Sequence, residues 1–541
     1  MSTFGSFSTV KLGIYAAQKG LDVTGNNITN INTEGYTRQR LQQTSLVTSA
    51  ADRYYSIYKT RVGQGVVTTG VTQLREPGLD LAYRNSTSDL GAADAKLAGL
   101  EDLAQILDEV GKGDLEQDDG VILNQLNDLR DLINEAITNG IEEYDGLIRT
   151  SAQALCTLFN STANSLTELQ GRYEERLTQQ VDTINSILTN LRDLNVSIRN
   201  ADIRGDNALE LRDERNRLLD ELSQYVKIDV QYTMEDVGAG FMVETMTVAL
   251  ATGDRNVLVD GEFSTQLEQP TGPNYDITLQ AMEDSDGRQA TAADLLFPTR
   301  SPVGRDVTLD DTDLYGALQS TREILTEEGE YASADDITRD PNAAVKRGIP
   351  YYQKALDSLA YEFAMAMNDL NATNATGAGV LFSNSSNGID TNNINAANIS
   401  VSQDWADGTV SFQAKENDTD PSGDTSNLVK FLNLFDKDID FIYQHVQGDA
   451  NAGGGYTGTF EDMLLRIQSV LAEDQMATSA VLTNYTVTNN EIYMSRDSVM
   501  GVDLNDEATS LMVYQKAYTA ACRLMTVLEE ALDSLINGTI V

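Results

Sequence analysis

Residues 7–31 read FSTVKLGIYAAQKGLDVTGNNITNI, and apolar or small side chains recur along them at Phe7, Val10, Ile14, Ala17, Leu21, Thr24, Ile28 and Ile31. The steps alternate three and four, which keeps one stripe on one side of a helix, the seam of a coiled coil. Residues 511–535, LMVYQKAYTAACRLMTVLEEALDSL, carry the same alternation at Leu511, Tyr514, Tyr518, Ala521, Met525, Leu528, Leu532 and Leu535. At about 1.5 Å per residue each stripe is roughly 36 Å long. Matched stripes at opposite ends of the chain predict that the ends pair and that everything between is an insert. Gly13, Gly20 and Gly25 each cost about 1 kcal/mol relative to alanine inside a helix. The first helix, read as about Phe4 to Thr33, therefore needs a partner along its stripe.

The 541 residues exceed what one hydrophobic core organises, and about 150 residues per domain gives roughly three or four domains. Thirty-eight basic against 83 acidic residues leave a net charge of −45. So acidic a surface repels phosphate backbones and anionic headgroups, which excludes nucleic acid and membrane surfaces as expected partners. Apolar residues make up 41% of the chain, enough, with the clear periodicity, to expect a mostly folded protein rather than a disordered one. No apolar run reaches the length of a membrane span. The first twenty residues lack a basic leading segment, and Lys11 interrupts the apolar stretch, so no cleaved secretory signal is expected.

Beyond the first stripe an asparagine-rich stretch runs into Gly35-Tyr36-Thr37-Arg38, where Gly35 is a natural helix stop. Residues 40–83 read as extended segments and loops, and helical periodicity returns from about Ser88 to Glu109, closed by Gly111 and Gly113. Asp118 and Asp119 favour a helix start ahead of Ile122, and Gly140 stops that helix. A long helix follows from about Tyr144 to Asp202, then a charged one from about Leu209 to Tyr225. The charges of the latter (Arg212, Arg215 and Arg217 among Asp213, Glu214 and Asp220) read as a solvated face of helix salt bridges.

At Val226 the period switches to two: Val226, Ile228, Val230, Tyr232 and Met234 alternate with polar residues, the pattern of a half-buried strand. Strands are expected again at Met246–Leu250 and Val257–Val259, with Gly253-Asp254 as the turn between them. Helical pattern returns at Asp313–Thr326 and Pro350–Leu370. Residues 371–455 read as loops with short strands at Ile399–Val401 and Val410–Phe412, and helices resume at Phe460–Ala472 and continue through Met476–Tyr493 into the C-terminal helix. The expected fold is multidomain α+β: a terminal coiled-coil domain (1–38 and 502–541), a mainly helical domain (39–225, 350–370 and 456–501) and a β-rich outer region (226–349 and 371–455).

Catalytic chemistry finds little to work with. His445 is the single histidine, which leaves histidine triads, Cys–His dyads and two-histidine zinc motifs incomplete. P-loop and dinucleotide-binding glycine motifs are absent. Aligning Gly287 with the glycine of a calcium loop puts Met282 and Ala293 where ligands belong, so that acidic run is a turn. Cys156 and Cys522 are too far apart in sequence to form a disulfide framework. No catalytic, cofactor or metal site is expected.

The stretch Asn26-Asn27-Ile28-Thr29-Asn30-Ile31-Asn32-Thr33-Glu34-Gly35-Tyr36-Thr37-Arg38-Gln39 resembles the N-terminal signature of bacterial flagellar axial proteins, in which an asparagine-rich helix end leads into Gly-Tyr-Ser/Thr-Arg. Within that group the chain resembles the hook-associated protein 1 family, with supporting stretches at 207–222, 314–325, 355–370 and 498–518. Thr29, Ile31 and Glu34 depart from the usual residues, which bears on local packing. The resemblance implies an extracellular structural protein at the junction of flagellar hook and filament, exported by the flagellar type III route. Its implied partners are further copies of itself in a ring-like homo-oligomer, the hook protein, a second hook–filament junction protein and an export chaperone at the C-terminal helix. The implied assembly interface consists of the two stripes together with Asn26, Asn27, Asn30, Gly35, Tyr36 and Arg38. Two alternatives stand beside it: another axial protein of hook type, and a secreted β-domain adhesin on a helical stalk. Residues 1–40 carry a net +2 and residues 502–541 a net −4, an attraction that orients the pairing more than it strengthens it.

Overall fold

The structure is a computed structural model that describes residues 3–46, 64–107, 120–236, 238, 242–270, 272–385, 388–421, 423–443 and 455–537. The N-terminal stripe forms α1 (Thr3–Thr29), followed by an antiparallel hairpin of β1 (Gln39–Ser45) and β2 (Val66–Gln73). The hairpin runs back along α1: the Thr9 hydroxyl donates to the Gln64 carbonyl at 3.2 Å. The helix ends at Thr29, short of the expected Thr33. There the Asn30 amide turns back onto the Asn26 carbonyl and side chain, at 3.0 and 2.9 Å, so local side-chain bonds compete with the helical ladder.

The body is built on α2 (Pro77–Leu107), α3 (Val121–Asn139), α4 (Ile141–Ile203) and α5 (Leu209–Tyr225). Helix α2 starts eleven residues before the expected Ser88. Its first turns bury polar side chains, Asp80, Arg84, Ser86, Thr87 and Ser88, so they show no apolar periodicity to read. The closing glycines Gly111 and Gly113 and the start signal Asp118-Asp119 lie outside the described residues. The 63 residues of α4 make a rod roughly 95 Å long. A continuous apolar line from Ile148 through Phe159, Leu169, Val181 and Leu191 to Ile198 is buried along it.

Beyond α5 the chain forms a four-stranded antiparallel sheet of β3 (Ile228–Asp236), β4 (Met242–Leu250), β5 (Val257–Asp260) and β6 (Phe263–Ser264), in that order. Gly253, at φ +54°, makes the turn before β5, where a side chain would run into Asp313. Two-residue strands β7 (Thr278–Leu279) and β8 (Val307–Thr308) pair next. They are followed by α6 (Ala317–Thr326), a short α7 (Ala334–Arg339) and α8 (Ile349–Asn371), with proline in the first turn of α8.

The described residues of 371–443 are mostly loop, carrying β9 (Phe382–Ser383), β10 (Ser400–Val401), α9 (Gln403–Ala406), α10 (Ser426–Leu434) and β11 (Ile439–Phe441). Val410–Phe412 is not a strand. Its backbone is held by side chains instead: Asp145 accepts from the Phe412 amide at 2.8 Å, and Phe412 packs on fully buried Trp405. After β12 (Tyr456–Gly458) comes one helix, α11 (Phe460–Met500), that spans both expected segments, and then, past a break at residues 501–503 where the helix was expected to continue, α12 (Leu504–Asn537). Helix α11 lies antiparallel on α2, with Gln475 bonded to the Leu100 carbonyl, Asn489 to Thr87 and Arg496 to Asp80. The principal core draws on residues from Leu100 to Leu471 and includes nothing from α1 or α12.

Candidate assembly site: the terminal helix pair and its clasp

Helices α1 and α12 lie antiparallel, because Gly20 meets Tyr514 while Arg38, just beyond α1, meets Glu507 at the start of α12. The contact at Gly20 is so close that a Cβ there would sit 2.4 Å from the Tyr514 ring. On α1 the fully buried positions are Val10, Ala16, Ala17, Gly20, Thr24 and Asn27. Of the expected stripe, Phe7, Ile14, Leu21 and Ile28 are only half-buried, and Ile31 lies past the helix end, exposed. The seam therefore runs through small residues, with the larger apolar ones flanking it. Small side chains let the helix axes approach and let one aromatic ring fill the gap. Of the three mid-helix glycines, only Gly20 marks a close approach, since a Cβ at Gly13 or Gly25 meets nothing within 4 Å, so the sequence did not single it out.

The partner helix is almost bare. Leu511, Tyr514, Ala521, Met525, Leu528 and Leu532 are half-buried, while Tyr518 and Leu535 are exposed, Leu535 at 60%. Among its 34 described residues the one fully buried side chain is Glu507. Met512, Val513, Leu524 and Val527 are each more than half exposed on other sides of the helix. A helix this apolar and this uncovered is incomplete as a water-facing surface.

The asparagine-rich signature folds into a clasp. Asn27, 1% exposed, donates from Nδ2 to the Gln39 carbonyl at 2.9 Å. Its Oδ1 accepts from the Gln39 amide at 3.0 Å and from the Tyr36 hydroxyl at 2.9 Å. Burial, helped by Asp213, Glu210 and Glu507, pushes the Tyr36 hydroxyl well above its ordinary value, which keeps it a donor. Asn26 reaches Gln39 Oε1 at 3.5 Å. Gly35 turns the chain at φ +77°, a conformation costly for any residue with a Cβ. Arg38 then ties the clasp to the other end of the chain: its amide donates to the Met500 carbonyl at 2.9 Å and its Nε to Glu507 at 2.7 Å.

Beneath the clasp, three arginines and three aspartates drawn from four segments form an ionic node. Arg75 pairs with Asp80 at 3.0 Å and faces Asp213 at 3.7 Å. Arg84 pairs with Asp220 at 2.8 Å. Arg496 bridges Asp80 and Asp220 at 2.8 and 2.6 Å. Burial alone would raise the Asp80 carboxyl, but the Arg75 hydrogen bond and the Arg75, Arg496 and Arg84 charges hold it below its ordinary range. Asp213, which accepts from the Thr37 amide at 3.2 Å, goes the other way. Burial pushes it up to about 6, with Glu210 adding to the rise, against the Thr37 hydrogen bonds and the Arg75 charge. This corrects the reading of residues 212–220 as solvated. Arg217 does make surface pairs with Glu214 and Glu221, but Asp213 and Arg215 are buried, and Arg215 pairs with Glu244 on β4. The node was not readable in sequence because its partners lie on separate segments, up to 416 positions apart.

Among the described residues no cluster of His, Cys, Asp or Glu could hold a metal ion, and no helix is long and apolar enough to cross a membrane. His445 lies outside the described residues. Both cysteines are free; Cys156 is buried, which pushes its thiol up to about 12, and Cys522 is half-buried on α12.

Comparison with known proteins matches residues 13–37, which take in the clasp as far as Thr37, to the flagella basal body rod protein family. Residues 115–382 match the helical domain of flagellar hook-associated protein FlgK. The flagellar hook-associated protein 1 of Bacillus subtilis (strain 168) is 26% identical to the chain, over 99% of this chain and 98% of that one. The solved structure of the flagellar hook junction protein FlgK from Burkholderia pseudomallei is 20% identical and aligns at a TM-score of 0.40, over 57% of this chain and 47% of that one. The body, the clasp and the full length of the sequence thus point to one group, and the chain belongs to the FlgK family of flagellar hook-associated proteins.

Proposed function

We propose that this chain is a structural, non-catalytic subunit of the bacterial flagellum at the junction between hook and filament, required for filament assembly and motility. The observation that carries the reading is the bareness of the terminal pair: α12 leaves its apolar sides open to water and buries one side chain, a glutamate. Such a helix is completed by neighbours, so α1 and α12 enter the inner wall of a tube made of further copies. Ordering them costs about 1–2 kcal/mol per residue in backbone entropy, which the burial of Ile14, Leu21, Met512, Val513 and Leu524 against those copies offsets. The body of the chain has its own core and stands outside the wall.

The hook protein on one side and a second junction protein on the other are the proposed neighbours in the assembled, extracellular structure. Before export through the flagellar type III route, the bare α12 is the proposed seat of an export chaperone. The test is electron microscopy of cells lacking the gene: hooks without filaments, with filament protein released into the medium, are expected, and the full chain restores filaments. Intact filaments on such cells would overturn the reading.

A further inference from the structure

Helix α11 touches the body along a narrow line. Past Leu471 its fully buried side chains are Thr478, Asn489, Arg496 and Met500. On another side of the helix Met476, Ala480, Thr483, Val487, Asn490 and Met494 are all exposed. Their steps of four and three repeat the spacing of a helix-docking seam. Met476 is 75% exposed, Val487 54% and Met494 68%.

Up to Asn490 this stretch carries no charge. Between Asp474 and Glu491 all sixteen residues are uncharged, a length of about 24 Å, in a chain where charged residues make up 22%. Residues 150–167 of α4 are also uncharged, but there Leu155, Phe159 and Leu166 are buried and the core accounts for the composition. No core accounts for it on α11. The polar groups of this face are also cheap to bury: the Thr483 and Thr486 hydroxyls donate to the Ser479 and Leu482 carbonyls of their own helix, at 2.9 and 2.8 Å. A hydroxyl whose proton is already placed loses little on leaving water.

We propose that this charge-free face of α11 is a docking surface for a second copy of the chain, an inference that rests on the assembly reading above. Charge selects the occupant. A copy carries the same −45, so two copies repel across most of their surfaces and meet at least cost where the charges have been left out. The helix that carries the face leads through residues 501–503 into α12, so the face lies on the segment joined to the bare terminal pair. Exposed methionines at both ends of the seam adapt to a neighbouring surface that is not a mirror image of their own.

The test places a photo-crosslinking residue at position 487 of the full chain, which is then irradiated both as soluble protein and within isolated hook–filament particles. The expected product is an adduct of twice the chain mass in the particles and none in dilute solution. An adduct to another protein, or no adduct although the chain is present in the particles, overturns the α11 proposal and leaves the assembly reading standing. Absence of the chain from the particles overturns both. Val487→Glu, at an exposed position, should leave the melting temperature of the soluble chain unchanged and lower its incorporation into particles at least tenfold.

Discussion

Arg38 and Glu507 stand 469 positions apart in sequence and 2.7 Å apart in space, the guanidinium one-quarter exposed and the carboxylate all but sealed from water. Through this pair the signature that ends the first helix holds the start of the last one. Arg38→Ala leaves a buried carboxylate without its cation, at a cost of about 1–3 kcal/mol. Amide exchange over the first two turns of α12 should accelerate by one to two orders of magnitude, and adding Glu507→Gln should recover part of the loss. Unchanged exchange would remove the pair from the clasp.

The three glycines of α1 should respond in opposite directions. At Gly13 and Gly25 an added methyl meets nothing within 4 Å, so Gly13→Ala and Gly25→Ala should raise helicity and stabilise α1 by about 1 kcal/mol each. At Gly20 the same methyl meets the Tyr514 ring, so Gly20→Ala should separate the pair despite its better helix propensity. Disulfide trapping between cysteines placed across the pair would report the difference.

Asn27 serves three bonds from a fully buried position. Asn27→Ala should cost about 2–4 kcal/mol, since the Tyr36 hydroxyl and the Gln39 amide and carbonyl are left without partners. The loss should show as protease sensitivity in the β1–β2 hairpin, with the melting of the body unchanged.

Asp213 makes the clasp sensitive to pH. Its folded-state value of about 6 lies above the ordinary 3.8, so the folded chain holds this proton more tightly than the unfolded one. Its contribution is fully present below about pH 4 and is lost as the pH rises through 6. Relative to Asp213→Asn, the native chain should gain roughly 2 kcal/mol between pH 7.5 and pH 4.5, measured by urea unfolding at both values. A difference that is flat across that window would show that Arg75 keeps the carboxylate ionised.

Deleting residues 503–541 should leave a soluble chain whose melting temperature falls by no more than a few degrees, because the principal core takes nothing from α1 or α12. The same chain should fail to enter particles. Unfolding of the sheet β3–β6 after this deletion would contradict the division between body and terminal pair.

What the sequence made legible was the periodic part. The stripe of α4 from Leu177 to Ile198 shows one face buried against a continuous apolar surface, so composition and spacing carry the information; the alternation after Val226 marked the strand β3 but only part of its burial, since Val226 and Ile228 are buried whereas Tyr232 and Met234 are exposed. The seam of α1 was half legible: Val10, Ala17 and Thr24 are in it, whereas Gly20 and Asn27 took places that the reading had given to Ile14, Leu21 and Ile28. Apolar size marks a seam only where helices pack at ordinary distance, and here they pack closer. Asp80, Arg84 and Asp213 were not legible at all. A buried charge looks in sequence like a surface charge until its partners are known, and theirs lie on other segments.

One mechanical consequence follows from the two segments that leave the terminal helices: residues 30–38, which run into the β1–β2 hairpin, and residues 500–503, which join α11 to α12. A single connecting strand is a swivel, free to turn about its own bonds. Two strands cross-tied by the Arg38 amide on Met500 and by the Arg38 side chain on Glu507 cannot turn independently. In the assembly proposed above, rotation of α1 and α12 about their long axis would therefore be delivered to the body as torque, with bending left as the softer motion of the connection.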